Sequence, residues 1–499
     1  MGKTARLDKM LVQRYTADFS IPQELAQIIA SRFPVYTDAQ AYLFPELSTL
    51  HDPGLLPDIE KAADRIVRAV HDGTGILVYC HDDVDGYTSG VIMYTTLKDI
   101  MRKRAQPLFL YPVIREKDGY ILNPRVLQEY RSKGARIIIT VDFGVSSNEN
   151  FEIAREQDME LIVCDHHEVK ADAFTVPVVD PKRPASSYPF RDLAGVGVTL
   201  KLAQFLYRSS LGLGTDEFFN VKKEFIALSM LGTVADRVIL TDENRVLCRH
   251  GLDMINQLDV PWARYFRANG EIDTATVIQM IIPTISSAAY CDPMYGVRVF
   301  LNSDMAYICD AFTKLRNVTD ERRKGVAIFF EDVISAARVY PDVVISVVPV
   351  VRQHYLGSVA GWLRDRYQRT AVVIGIRDGR CIGELRSHRL NLYEMLHSMG
   401  DLFSDYGGHQ RAAGFTMAHQ HLDELADRIL RYVTENTHET KEKTREPVFL
   451  LARTNVDMLK RMMPFGEGNS APLLTDGSLV YTIDNKLNIV EKGSFDSKY

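Results

Sequence analysis

Four short stretches of the chain place carboxylates and imidazoles where they could hold metal ions. The first, His81-Asp82-Asp83-Val84-Asp85-Gly86, follows the apolar run ILVYC directly. If the backbone stays extended there, His81, Asp83 and Asp85 point to one side, because side chains alternate with period two. Asp142 closes RIIITVD, Asp165-His166-His167 closes ELIVC, and Asp236 follows SMLGTVA. A lone aspartate after a strand is ordinarily a turn or cap residue. Four such stretches in one chain point instead to a shared site. Oxygen-rich sites with one or two imidazoles suit Mn²⁺ or a similar cation better than structural zinc, which favours thiolates. A carboxylate shared by two ions ~3.5 to 4 Å apart would lower the pKa of a bound water and neutralise a phosphate. The chemistry indicated is hydrolysis of a phosphoester or phosphoanhydride.

The elements that must position these groups are legible in the hydrophobic pattern. Apolar positions 59, 62, 63, 66, 67 and 70 follow helical spacing, and Ile76 to Cys80 is a continuous apolar run, so helix then buried strand is expected. Similar runs recur at 108–111, 136–142, 160–165 and 176–180, separated by helical stretches such as 124–133. Strands buried on both faces and alternating with helices imply α/β architecture with a parallel, doubly wound sheet. The acidic and imidazole groups then fall at the C-terminal ends of three strands, the edge where such sheets bind ligands. After about Val198 the pattern is mainly helical to about Ala337, ending in a long connecting helix. Runs at 343–351 and 371–376 begin a second, smaller α/β unit. The segment TENTHETKEKTREP, 434–447, has almost no apolar residue and reads as a linker. The residues after it are too few for a comfortable independent core.

Composition restricts the function class. A length of 499 residues, 46% apolar and 25% charged, is that of an ordinary globular protein of several domains. The net charge of −6 gives no general attraction to nucleic acid, so any such binding needs a local basic groove. Six dispersed cysteines without a C-x-x-C pair suggest reduced, mostly buried thiols rather than a disulfide framework or zinc ribbon. The N-terminal residues lack an apolar signal region and no run reaches ~18 apolar residues, so a cytoplasmic protein with no membrane partner is expected.

With these motifs in hand, the chain resembles the DHH phosphoesterase superfamily, and most closely its RecJ-type single-strand exonucleases. HDDVDGYTSG at 81–90, RIIITVDFGVS at 136–146, VCDHHE at 163–168, VDPKRPASSYPFRDLAGVGV at 179–198 and LGTVADRVILTDENR at 231–245 arrive in family order, followed by GGHQRAAGF at 407–415 and PFGEGN at 464–469. The resemblance implies that His81, Asp83 and Asp142 hold one divalent ion, and that Asp85, Asp142, His166 and Asp236 hold a second, with Asp142 as the bridge. Asp165 would orient a ligand and His167 would face the phosphate. Two divalent ions, Mn²⁺ preferred over Mg²⁺, are the implied cofactors. Arg386, Ser387, Gly407, Gly408 and His409 are the implied substrate contacts. The implied organisation is an N-terminal arm at 1–58, a DHH catalytic domain at 59–270, a helical connector at 271–338, a DHH-associated domain at 339–433, the linker at 434–447 and a partial OB-like tail at 448–499.

Three departures accompany the resemblance. His81 stands where bacterial RecJ-type chains usually carry aspartate. Thr284 and Tyr290 stand in the segment that usually reads like PRINAAGR, where two arginines are lost, and Val351-Arg352 replaces a Trp-His pair. The leading reading is a two-metal 5′ to 3′ exonuclease on single-stranded nucleic acid, DNA foremost, in repair or recombination. A phosphodiesterase of short oligonucleotides or cyclic dinucleotides is the alternative that the weakened grip favours. A catalytically reduced scaffold of a replication or repair complex is a third, and the complete set of ligating residues argues against it. A single-strand-binding or helicase partner could supply missing grip.

Overall fold

In the computed structural model the described residues are 8–102, 105–114, 121–169, 174–268, 270–349, 353–408, 410–437, 447–450 and 456–491. The chain divides into two compact units, one formed by residues 1–318 with 447–494 and the other mainly by 319–446.

The first unit is built on a five-stranded sheet of β1 (Gly75–Cys80), β2 (Leu108–Pro112), β3 (Ala135–Val141), β4 (Glu160–Cys164) and β5 (Val178–Val179). Its order is β2-β1-β3-β4-β5, and every pair is parallel. The apolar runs are continuous because both faces are covered. Ile76, Val78, Cys80, Ile137 and Ile139 point into a core shared with helices Ile59–Asp72, Val84–Met101 and Gly195–Leu211. The alternate residues Leu77, Tyr79, Ile138, Leu161 and Val163 meet Leu127 and Ile153, from helices Pro124–Ser132 and Glu149–Glu156. Each such aliphatic side chain, fully buried, contributes about 1.5 to 3 kcal/mol. The sheet is therefore a rigid base for the loops at its C-terminal edge.

Two expected boundaries are corrected. The helical connector does not begin as a separate element at 271, because Ile272, Val277, Ile281, Ile285, Val297 and Ile308 pack into the same core as the sheet. The continuous helix is Met305–Ser335, and residues 337–339 already form a strand of the next sheet. Likewise 1–58 is not an arm. Helices Lys9–Asp18, Gln23–Arg32 and Tyr36–Leu43 share a core with the C-terminal segment, where Tyr15, Leu25 and Ile28 join Leu459, Met462, Leu474 and Ile483.

That C-terminal segment carries its own sheet, β12 (Val448–Leu450), β13 (Leu473–Thr475), β14 (Val480–Ile483) and β15 (Ile489–Glu491), in sequential order. The second unit has a mixed six-stranded sheet of β6 (Ala337–Val339), β7 (Val343–Val348), β8 (Thr370–Arg377), β9 (Arg380–Arg386), β10 (Phe403–Gly408) and β11 (Ala412–Ala418), ordered β10-β11-β9-β8-β7-β6. Only β7 and β8 pair in parallel. Helix Leu422–Thr437 runs into the expected linker, whose residues 438–446 lie outside the described ones. Among the described residues no helix is long and apolar enough to cross a membrane. Cys80, Cys164, Cys248 and Cys381 are buried thiols, whereas Cys291 and Cys309 are exposed.

Candidate active site

The groups singled out at the strand ends converge, but not by the route expected for 81–85. The chain does not stay extended after His81. Asp83 caps the helix Val84–Met101, its Oδ1 accepting from Gly86 N at 2.9 Å, and Asp85 already lies in the first helical turn. The three side chains therefore divide between two clusters. His81 Nδ1 lies 2.9 Å from Asp83 Oδ2, and with Asp142 these form one group of potential ligands. Asp85, His166 and Asp236 form a second, with His166 Nε2 3.9 Å from Asp85 Oδ2 and 3.6 Å from Asp236 Oδ2, and a third grouping, Asp142, Asp165, His166 and His167, overlaps both through its shared residues.

Asp142 stands between the clusters. Its Oδ1 is 3.2 Å from His166 Nε2 and its Oδ2 is 3.9 Å from His81 Nδ1. The residue follows β3 with φ of 64°, a left-handed conformation that costs a non-glycine residue energy and turns this carboxylate across the sheet edge. Two glycines allow the approach. A Cβ on Gly195 would lie 2.4 Å from Asp142 Oδ1, and one on Gly232 would lie 2.6 Å from Asp85 Oδ1. Gly195 N and Val196 N, at the start of helix Gly195–Leu211, each donate to Asp85 at 2.8 Å.

Asp165 is buried behind these ligands. Its oxygens accept from Val145 N, His166 N and His167 N, and from His167 Nδ1 at 2.7 Å. Burial alone would raise its carboxyl, but His167, with His166 and the Val145 N–H, outweighs that and holds it well below the usual range. The other carboxylates behave oppositely. Burial, then the charge of Asp83, pushes Asp85 up to about 7 against the hydrogen bonds from Val196 and Gly195. Burial and then Asp85 push both Asp142 and Asp236 well above the ordinary carboxylate range. Like charges so concentrated need protons or cations between them. The donor set, carboxylate oxygen and imidazole nitrogen with no thiolate, fits two divalent cations of the Mn²⁺ or Mg²⁺ type.

Several residues of this edge escaped the sequence reading. Asp180, fully buried after β5, ends its apolar run as Asp142 and Asp165 end theirs, and burial followed by the charge of Asp165 raises it well above the ordinary range. Lys182, on the VDPKRP stretch that follows, has its Nζ 3.6 Å from Glu168 Oε1. Asp82, also buried, lies 3.8 Å from His81 Nε2.

In the second unit the expected substrate residues fare unequally. Arg386 Nη1 donates to Glu384 Oε2 at 2.8 Å, so its charge is already paired. Ser387 is buried, and its Oγ accepts from Arg389 N and Leu390 N at 3.1 Å while bonding Thr370 Oγ1 at 2.9 Å. Its hydroxyl locks the turn that follows the strand. Gly407 and Gly408 are exposed on β10, an edge strand. His409 and Val351-Arg352 lie outside the described residues. Thr284 is buried in the helix Ile282–Ser286 and Tyr290 is half-buried.

Comparison with known proteins accords with this geometry. Residues 75–233 match the model of the DHH family, N-terminal domain, and residues 341–435 match the DHHA1 domain. The single-stranded-DNA-specific exonuclease RecJ of Bacillus subtilis is 30% identical over 449 residues, 87% of this chain and 55% of that protein. The chain thus spans little more than half of this relative's length. The enzyme of the same name from Escherichia coli is 27% identical, covering 77% of this chain and 71% of its own length. Among solved structures, RecJ of Thermus thermophilus in complex with Mn²⁺ superposes with a TM-score of 0.76 at 21% identity, over 99% of this chain and 74% of that one. The two domain matches, carried on the parallel sheet of the first unit and the smaller mixed sheet of the second, make the chain a member of the DHH superfamily, similar in sequence to its RecJ-type proteins.

Proposed function

We propose that the chain is a two-metal phosphodiesterase that degrades single-stranded DNA from its 5′ end. The observation that carries this reading is the division of the Asp142 carboxylate, one oxygen toward each donor cluster. His81, Asp83 and Asp142 then hold one divalent ion, and Asp85, Asp142, His166 and Asp236 hold the other. When bound, such ions supply Lewis acidity toward a water and toward phosphoryl oxygens. Asp165, by accepting from His167 Nδ1, fixes the direction in which the imidazole faces the phosphate. Gly195 and Val196 keep the Asp85 oxygens aimed. In the second unit Arg386, Gly407, Gly408 and His409 are the substrate contacts, with Ser387 shaping the turn beside Arg386. The substrate class follows the relatives' name and the direction follows the family resemblance. Two imidazoles favour Mn²⁺ over Mg²⁺, which accepts nitrogen reluctantly. A cytoplasmic location and a single-strand-binding or helicase partner complete the reading.

The test is product analysis on 5′-labelled single-stranded DNA, RNA and dinucleotides with Mn²⁺ or Mg²⁺. Release of labelled mononucleotide from DNA, faster with Mn²⁺, supports the proposal. Cleavage confined to dinucleotides favours the short-substrate phosphodiesterase, and efficient cutting of closed circular single-stranded DNA, assayed in parallel by gel mobility, refutes the need for an end.

A further inference from the structure

The stretch LTDENR, at 240–245, has no ligand in it, yet it contains three consecutive polar residues that are almost completely buried. Glu243, Asn244 and Arg245, at the start of helix Asp242–Gln257, are 0%, 0% and 3% exposed. Burying an amide, a carboxylate and a guanidinium in succession is costly unless each is satisfied, so each must hold something.

Each holds a different part of the first unit. Glu243 pairs with Lys201 Nζ at 2.5 Å and accepts from His51 N and from Tyr188 OH. Arg245 donates from Nε to Tyr42 O and from its two terminal nitrogens to Met462 O and Arg461 O, joining the N-terminal helices to the C-terminal segment. Both fix the helix in place. Between them Asn244 reaches toward the metal clusters. Its Nδ2 donates to Asp192 O at 2.6 Å and to Ile239 O at 2.9 Å.

Those two carbonyls belong to the two loops that arm one cluster. Asp192 lies three residues before Gly195, whose N–H, with that of Val196, holds Asp85. Ile239 lies three residues after Asp236, and the next residue is pinned from the other side, Leu240 N donating to Glu467 O at 2.8 Å. A shift of either loop would move Asp85 or Asp236 relative to His166. The His81 and Asp83 donors hang on neither loop.

We propose that Asn244 is a positioning residue that sets the spacing of the Asp85–His166–Asp236 cluster by tying its two supporting loops to one amide. The proposal rests on the reading of the clusters as divalent-cation sites and is independent of the substrate. Outer partners of this kind typically change metal affinity by about 10- to 100-fold.

The test titrates Mn²⁺ into the full chain and follows the EPR signal of the free ion, with thermal unfolding of the metal-free protein measured beside it. The variants are Asn244→Ala, Asn244→Ser, which keeps one shorter donor, and Asn256→Ala. Asn256 supplies a matched control, because its amide bridges Leu252 O and Ile272 at the far end of the same helix. The expected result is that Asn244→Ala weakens one of two Mn²⁺ steps about tenfold or more and leaves the other unchanged. Asn244→Ser should fall between parent and Ala, and Asn256→Ala should lower the melting temperature without altering either step. If Asn244→Ala does not fold, the Ser variant decides by the same criterion. A parent that binds no Mn²⁺ overturns the cation-site reading and this proposal together. A parent that binds two ions, with Asn244→Ala unchanged or with Asn256→Ala equally impaired, overturns this proposal alone.

Discussion

Asp165 accepts four hydrogen bonds, and the one from His167 Nδ1, at 2.7 Å, ties a fully buried carboxylate to a half-exposed imidazole. The carboxylate thus selects both the tautomer and the direction of the ring. Asp165→Asn leaves the side chain's size but converts one acceptor into a donor facing a ring N–H. Turnover is expected to fall about 10- to 100-fold while Mn²⁺ binding at the His81–Asp83–Asp142 cluster persists. Single-turnover kinetics beside an Mn²⁺ titration checks this, and equal loss of both would assign Asp165 to the ligands.

Asp142→Ala should be more severe. One side chain serves both clusters, so its loss should weaken both Mn²⁺ steps and lower turnover by on the order of 10³-fold, the several kcal/mol typical of metal assistance. The fold should survive, because removal of one of several converging buried carboxylates relieves repulsion in the metal-free protein. Circular dichroism and thermal unfolding of metal-free protein test the second half of this expectation, and near-normal turnover would show that Asp142 is no bridge.

Much of this site was legible because β1, β3 and β4 are buried on both faces, which writes each strand as an unbroken apolar run and marks its end by the first charged residue. Asp142 and Asp165 are such ends. The separation of His81 and Asp83 from Asp85 was not legible by alternation, because the helix starts at Val84 and replaces period two by 3.6. Asp83 as an N-cap was the local signal that could have shown it. The union of the N-terminal helices with β12–β15 had no local signal at all. Tyr42 OH bonds Asn469 Oδ1 at 2.7 Å across more than four hundred residues, a contact that only tertiary packing creates. The local role of Ser387 had no signal for a similar reason, since its neighbour Arg386 belongs to the strand while its own oxygen closes the turn that follows.

The second unit carries a pH-sensitive contact of its own. Burial raises the Asp365 carboxyl, but hydrogen bonds from His388 and Arg364 outweigh it and hold the group down to about 2, against an ordinary 3.8. A carboxylate with a depressed folded pKa adds stability that is present above its unfolded value and lost as pH falls through the folded one. The melting-temperature gap between the parent and Asp365→Asn should therefore be present at about pH 5 and shrink from about pH 4 toward pH 2. A gap independent of pH would show that the pairing adds nothing, as exposed pairs often do.

A weakened grip on the strand is expected under the proposed reading, and position 284 shows what restoring a cation there would cost. Thr284 is 2% exposed, next to the fully buried Ile285. Thr284→Arg would bury an unpaired guanidinium, costing about 3 to 5 kcal/mol, and is expected to lower the melting temperature without improving DNA affinity. Tyr290 is half-buried at the end of the same segment, where a long cation can reach solvent. Tyr290→Arg should steepen the dependence of log affinity on log salt by about 0.7, the contribution of one neutralised single-strand phosphate. Affinities for a fixed oligonucleotide at several salt concentrations measure that slope for parent and both variants. A parent slope already as steep as several phosphates would mean that another basic groove holds the strand, and an unchanged slope in Tyr290→Arg would place the strand away from this segment.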